Sequence, residues 1–130
     1  MSERFDVIVV GAGAAGMMAA IAAAQRGAKT LVLERNEKVG RKIDITGKGR
    51  CNVTNACTRD GFFDAVKHNP RFLYSGYAAF DRNDTMAFFE KMGVPLKVER
   101  GNRVFPVSDR AFDIVDALRN GMRRAGAQLL

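Results

Sequence analysis

Histidine occurs once and cysteine twice in these 130 residues. A zinc site needs clustered Cys or His ligands. Cys51 and Cys57, with no second pair and His68 as the single histidine, match none of the recognised spacings. In a cytosolic chain a structural disulfide between them is not expected either. Repeats and low-complexity segments are missing, which leaves one ordinary globular domain with room for a real core. Acidic residues are the scarcer charge, 14 against 21 Lys and Arg, for a net charge of +7. The surplus is spread along the chain except for one cluster, Arg35, Lys38, Arg41, Lys42, Lys48 and Arg50, opposed only by Glu37 and Asp44. Such a cluster suits a cofactor's phosphates, an acidic substrate or nucleic acid, and equally a plain solvated surface. The interleaved aromatic and basic residues of an RNA platform are missing.

A long hydrophobic run is also lacking. Val7 to Ala24 is uncharged throughout, but glycine and alanine weaken its hydropathy and no polybasic segment precedes it. That argues against a membrane span and a signal peptide. Nothing points to export, so the expected compartment is the cytoplasm.

What is present is concentrated in VIVVGAGAAGMMAAIAAAQRGAKTLVLER, residues 7 to 35. Val7–Val10 reads as a strand, Gly11-Ala12-Gly13-Ala14-Ala15-Gly16 as a turn into a helix, and Thr30–Leu33 as a second strand ending on Glu34. This is the dinucleotide-binding fingerprint. Gly11 lets the chain reverse, Gly13 bares backbone for a pyrophosphate, and Gly16 lets the helix pack close. The helix N-terminus turns free N–H groups and partial positive charge toward the phosphates. Ala12, Gly16, Ala20 and Ala24 form one small-residue ridge. Glu34 follows Gly16 by 18 residues, near the spacing for a carboxylate on a ribose 2′-OH, and it disfavours a 2′-phosphate there. The alternative is a βαβ unit whose glycines serve packing only.

Beyond Glu34, residues 35 to 55 read as an ordered functional loop with a short helical turn after Glu37. Gly40, Gly47 and Gly49, interleaved with Thr46, Asn52, Thr54 and Asn55, offer close approach and neutral hydrogen-bonding groups of the kind a polar-edged ring requires. Short helices are expected at Gly61–Val66, from Asn69-Pro70 to about Phe80, and over Thr85–Met92 with Asn83 or Asp84 as cap. Val94–Glu99 and Arg103–Val107 are strands around a Gly101-Asn102 turn, with Pro95 and Pro106 pushing both toward a sheet edge. Ser108 is expected to cap a helix over Asp109–Arg124, ended by Gly126, and Ala127–Leu130 to begin a third strand. His68 reads as a surface imidazole rather than a general base, and Tyr74 and Tyr77 as core or rim residues.

Three stretches together give the chain a resemblance: the fingerprint, Gly40-Arg41-Lys42 running on to Thr46-Gly47-Lys48-Gly49-Arg50-Cys51-Asn52-Val53-Thr54-Asn55, and Gly101-Asn102-Arg103-Val104-Phe105-Pro106-Val107-Ser108. It resembles the bacterial NAD(P)/FAD-dependent oxidoreductases that include aminoacetone oxidase and the BaiN-like flavoproteins. GKGRCNVTN is the more specific of its motifs. The resemblance implies a Rossmann-like α/β fold of the glutathione-reductase type, with residues 1–130 forming the N-terminal part of an FAD/NAD(P)-binding domain and the inserted substrate domain lying outside them. It implies FAD as cofactor, with NAD(P)H as a possible electron donor. Gly11, Gly13, Ala14, Ala15 and Gly16 would hold the pyrophosphate, Glu34 the adenosine ribose, and Arg35 would lie beside the adenine. Gly40, Arg41 and Lys42 would contact the phosphate and ribityl region. Thr46, Gly47, Gly49, Arg50, Cys51 and Asn52 would approach the isoalloxazine ring. Asp44 stands where the family more often carries an apolar residue.

The expected function is therefore the FAD-binding portion of an oxidoreductase that moves hydride between flavin and a small-molecule substrate, with neither nucleic acid nor membrane as partner. Arg50 is the candidate for stabilising negative charge on a reduced ring. No side chain stands out as an acid, base or nucleophile for turnover. A redox-active Cys51–Cys57 pair is the lesser reading; Cys51 as a small buried residue near the ring is the greater. Two rivals remain: an NAD-linked dehydrogenase, which leaves the Gly47–Asn55 loop unexplained, and a tRNA-associated flavoprotein.

Overall fold

The computed structural model describes residues 2–130. In chain order the elements are β1 (Val7–Val10), α1 (Ala14–Gln25), β2 (Thr30–Leu33), α2 (Arg41–Ile45), β3 (Thr54–Asn55), α3 (Arg59–Ala65), α4 (Tyr74–Ala79), α5 (Arg82–Lys91), β4 (Leu96–Glu99), β5 (Arg103–Pro106), α6 (Ala111–Ala125) and β6 (Gln128–Leu129). Strands β1, β2 and β6 form a parallel sheet with β2 in the middle. Strands β3, β5 and β4 form an antiparallel sheet with β5 in the middle. The uncharged run from Val7 is thus divided between a strand, a turn and a helix. No helix among the described residues is long and apolar enough to cross a membrane.

Helix α6 carries the core. Its Ala111, Ile114, Val115, Leu118 and Met122 are buried in one stripe, as their spacing requires of an amphipathic helix. They meet Met17, Ala20 and Ile21 of α1 and Ile43 of α2 in a single apolar cluster. Ile114 and Leu118 are almost wholly enclosed, and burial of each contributes about 1.5–3 kcal/mol.

On its other side α1 lies against β1. A methyl group built on Gly16 would sit 1.9 Å from the Gly11 carbonyl oxygen and 3.3 Å from a Val9 methyl. The small-residue ridge serves this approach: Ala12 and Ala20 are fully buried and Ala24 half-buried.

Several element boundaries differ from the sequence expectation. The helical turn expected after Glu37 begins at Arg41, with Gly40 in its left-handed capping position. Helix α3 starts at Arg59, where the Thr58 hydroxyl accepts from the Gly61 N–H at 3.0 Å. After Asn69 the chain makes a 3-10 turn over Pro70–Leu73 before α4, and the Asn69 side chain makes no cap bond. Helix α5 starts at Arg82 because Asp81, rather than Asn83 or Asp84, is the cap. Asp81 accepts from the Asp84 N–H at 3.0 Å and Asp84 accepts from the Asp81 N–H at 2.9 Å, a reciprocal capping box. Pro106 lies on the central strand, not an edge. Strand β3 pairs only with Val104 and Arg103, so the ladder on that side has ended before Pro106 would have to donate. Helix α6 begins at Ala111, and Ser108 instead donates to the Asp113 carboxylate. Asp109 is drawn out of the helix into a left-handed conformation, φ 58°. The third strand forms as expected, β6 running parallel to β2.

Gly16→Ala is expected to destabilise the chain by about 3 kcal/mol or more, because the obstacle is backbone that a rotamer change cannot clear. Denaturant unfolding with an unchanged m-value measures this; a loss below about 1 kcal/mol would contradict the packing.

Candidate functional site

The glycine turn presents an open helix end. Gly13 caps α1 without a side chain, and the first helical bond runs from the Met17 N–H to the Gly13 carbonyl at 2.9 Å. The N–H groups of Ala14, Ala15 and Gly16 have no acceptor within the helix, as at any α-helix start. Gly13, Ala14 and Ala15 are exposed, and a methyl group built on Gly13 would meet nothing within 4 Å. Bare donors and the positive end of the helix dipole therefore face a space of their own.

Glu34 holds this turn to the strand beside it. Its Oε2 accepts from the Ala12 N–H at 2.8 Å, and its Oε1 accepts from the Asn36 N–H and the Asn36 amide, both at 2.9 Å. The Gly11 N–H adds a bond to the Leu33 carbonyl at 2.7 Å. The Asn36 and Ala12 backbone donors hold the Glu34 carboxyl below the usual carboxylate range. Of the four lone-pair positions of an ionised carboxylate, one, on Oε2, is still available to a ribose hydroxyl. The tie to Ala12 and Asn36 was not read from the sequence; it depends on a turn and a strand tip meeting in space.

Gly40 brings α2 to the turn. Its N–H donates to the Ala12 carbonyl at 2.8 Å, its φ is 68°, and a Cβ there would lie 2.9 Å from both Val115 methyls. The result is a groove of about 560 Å³ whose lining includes Gly11, Gly13, Ala14, Ala15, Gly16, Glu34, Gly40, Arg41, Lys42 and Thr46. It adjoins a more apolar cavity of about 470 Å³, lined by Met18, Cys51, Asn52, Val53, Phe89 and Leu118 among others. The two share Ala14, Ala15, Ile43 and Thr46, so they form one cleft. Arg35 lies at the far end, beside Glu34 and Leu130. Of the expected site residues, Arg35, Gly47, Gly49 and Arg50 line neither part of this cleft.

Arg50 points elsewhere. Its Nε donates to Asp109 at 2.8 Å, its Nη2 donates to Glu99, and its guanidinium stacks 3.9 Å from the centre of the Phe105 ring. Lys97 bonds the same two acids, at 2.9 Å to Asp109 and 3.2 Å to Glu99. The hydrogen bond from Arg50 holds Glu99 below the usual carboxylate range, and the one from Lys97 does so for Asp109. These partners lie 49 and 59 residues from Arg50, beyond any local sequence signal.

Cys51 is buried on the wall of the apolar cavity, and burial pushes its thiol up, away from thiolate chemistry. Cys51 and Cys57 are both free thiols. Asn52, with its amide oriented to satisfy both groups, donates to the Val104 and Thr54 carbonyls at 3.2 and 3.0 Å. His68 is exposed, and Tyr77 stacks on Phe62 at 4.5 Å at the rim of a small aromatic cluster. No group of three or more potential metal ligands occurs among the described residues.

With this geometry in view, the comparisons decide the family: the HI0933-like protein Rossmann domain matches residues 5–130. The chain belongs to the HI0933-like family. Its relatives include the ribosomal RNA dihydrouridine synthase of Escherichia coli K12, 39% identical over 116 residues, and the 3-dehydro-bile acid delta(4,6)-reductase of Clostridium scindens, 36% identical over 118 residues. Each alignment covers 89% of this chain, and the chain spans only 28% of each relative. Among solved structures, a flavocytochrome c3 fumarate reductase superposes with a TM-score of 0.59 at 23% identity, over 98% of this chain and 27% of that one. The HI0933-like chain thus has the Rossmann-like α/β fold that the glycine turn implied.

Glu34 supplies a pH test. Its carboxyl is depressed in the fold, so its stabilisation is complete above the ordinary carboxylate range and is lost as pH falls through the depressed value. Thermal melts between pH 5 and pH 3 should show Tm falling steeply, and Glu34→Gln should flatten that fall while lowering Tm at pH 7. An unchanged slope would contradict the role given to Glu34.

Proposed function

We propose that this chain is the FAD-binding portion of a flavin-dependent oxidoreductase. The observation that supports it most is the single cleft running from the Glu34 carboxylate, past the uncapped start of α1, to the apolar cavity beside Cys51 and Phe89. That sequence of surfaces suits a ribose, a diphosphate and a flat, largely apolar ring. Glu34 would accept from an adenosine ribose hydroxyl through its remaining Oε2 position. Ala14, Ala15 and Gly16 would donate backbone N–H groups to the diphosphate. Arg41 and Lys42, exposed at the groove mouth, would balance its charge. Thr46 and Ile43, common to both halves of the cleft, would lie along the linker. When bound, FAD supplies the hydride chemistry and the protein supplies its orientation and field. NAD(P)H is the proposed electron donor.

The relatives' names support a narrower substrate class. Dihydrouridine formation and reduction of a bile-acid delta(4,6) system both saturate a carbon–carbon double bond conjugated to a carbonyl. We assign that type of acceptor to the whole enzyme. A second reading, RNA as the carrier of that acceptor, is favoured by the groove rim. Arg35, Lys38, Arg41 and Lys42 are exposed there, and none has an ion-pair partner among the described residues. FAD's two phosphates leave part of that charge unmatched.

The absorbance spectrum of the purified protein tests the main reading: bound flavin gives the oxidised-flavin visible bands, and a bound nicotinamide does not. Gly13→Ala is the sharper test. Its methyl group meets open space, so stability should fall by no more than about 1 kcal/mol, the loss expected of alanine at an N-cap, while flavin content falls because the methyl occupies the phosphate approach. Full flavin retention would overturn the placement. For the second reading, uridine-containing RNA should bind with a steep inverse salt dependence that Lys38→Ala/Lys42→Ala reduces; salt-independent binding would remove it.

A further inference from the structure

We propose that Arg50 is a positioning residue that fixes the conformation of the Thr46–Asn52 loop from the hairpin side, and thereby sets the flavin's environment without touching it. This deepens the flavin reading and rests on it.

The loop adopts an unfavourable backbone. Gly47, Lys48, Gly49 and Cys51 all have left-handed backbone, with φ of 56°, 56°, 83° and 60°. Lys48 and Cys51 carry a Cβ, which makes that conformation unfavourable unless the surroundings over-determine it. Besides the bonds of a 3-10 turn over Thr46–Gly49, the loop's own backbone is closed by the Arg50 N–H on the Gly47 carbonyl at 3.2 Å and the Cys51 N–H on the Thr46 carbonyl at 3.1 Å.

The remaining restraint comes from β4, β5 and the turn after β5. The Arg50 guanidinium grips Glu99 and Asp109, and its flat face rests on Phe105. Phe105 is buried, and its ring edge is also the wall behind Gly47: a Cβ there would lie 3.1 Å from Phe105 Cε1 and 2.8 Å from the Asn52 nitrogen. One ring therefore backs both the start and the end of the strained run. Asp109 is itself left-handed, so loop and acceptor hold each other in conformations neither would keep alone. Thr46, Cys51 and Asn52, which bracket the run, are the residues that line the cleft. The fork and stacking plane of a guanidinium are what this requires; a lysine supplies the charge but neither of these.

Two measurements on the protein test this. Amide hydrogen exchange is followed without added flavin, and the visible spectrum and midpoint potential with FAD bound. The variants are Arg50→Ala, Arg50→Lys and Glu99→Gln/Asp109→Asn. All three should speed exchange at residues 47–52 by about tenfold or more while α1 and β2 keep their protection. All three should displace the flavin band and potential in the same direction, and combining Arg50→Lys with Glu99→Gln/Asp109→Asn should add nothing further. If Arg50→Lys and the double amide variant behave as wild type while Arg50→Ala alone moves the potential, Arg50 acts by direct charge and the proposal fails. Unchanged loop exchange in every variant also overturns it. A wild-type protein that takes up no FAD refutes the flavin reading instead, and the exchange measurement still judges the clamp.

Discussion

The close contact between α1 and the end of β1 is the constraint on which the rest depends. With the Gly11 carbonyl oxygen 1.9 Å from where a side chain at position 16 would begin, the helix axis cannot move outward or inward without losing the packing of Ala12 and Ala20. That fixed position aims the first turn of α1 into the groove. It also sets how far α6 stands from the sheet, because Met17 and Ile21 on the opposite side of α1 are part of the core that α6 closes. A surface of backbone donors is only as well placed as the helix that carries it, and here that placement comes first from missing side chains.

Polar ties then refine what packing sets. The Glu34 carboxylate bridges the Ala12 N–H and Asn36, and the Gly40 N–H bonds the Ala12 carbonyl. Ala12 is thus held at both its donor and its acceptor, by residues from two segments that follow it in the chain. The groove floor is a small closed network in which a hydrogen bond to an ionised acceptor contributes more than a neutral one. The far wall works differently. There the chain adopts an unfavourable backbone and is held by an ion cluster of two cations and two acids set on a phenylalanine ring.

How legible these features were in the sequence follows from their range. The β1–α1–β2 unit was read almost to the residue, because the two apolar runs, the glycine spacing and the acid at the strand tip are all local signals. The start of α6 was misread for the opposite reason. By local rules Ser108 is a fitting cap and Asp109 a fitting first-turn acid. The structure places Asp109 outside the helix, where Arg50 and Lys97 bind it from other segments. At α5, Asn83 and Asp84 were the caps read from the sequence, whereas the reciprocal bond between Asp81 and Asp84 makes Asp81 the cap. Arg50 was singled out from its motif as facing a ring, but its partners lie on the hairpin, 49 and 59 residues away, and no local pattern reveals that direction.

The distribution of charge suits an anionic ligand. Most of the scarce acids are engaged: Glu3 with Lys29, Asp6 with the Lys29 N–H, Glu34 with the turn, Glu99 and Asp109 with Arg50 and Lys97, Asp81 and Asp84 with each other, Asp113 with Ser108, and Asp116 with Arg119. The exposed cations at the groove mouth have no ion-pair partners among the described residues, and besides Glu34 only Glu37 and Asp44 lie near them in sequence. In water at physiological salt their field is screened within about 8 Å, so it acts over the groove mouth rather than over the whole surface. Within the groove, walls of low polarizability and the aligned peptides of α1 reinforce the same sign. A neutral ligand would gain nothing from that arrangement, and a bare carboxylate would use only part of it. A diphosphate flanked by a ribose uses all of it, with Glu34 as the one acid left in the groove and the sugar's hydroxyls as the donors that acid can accept from.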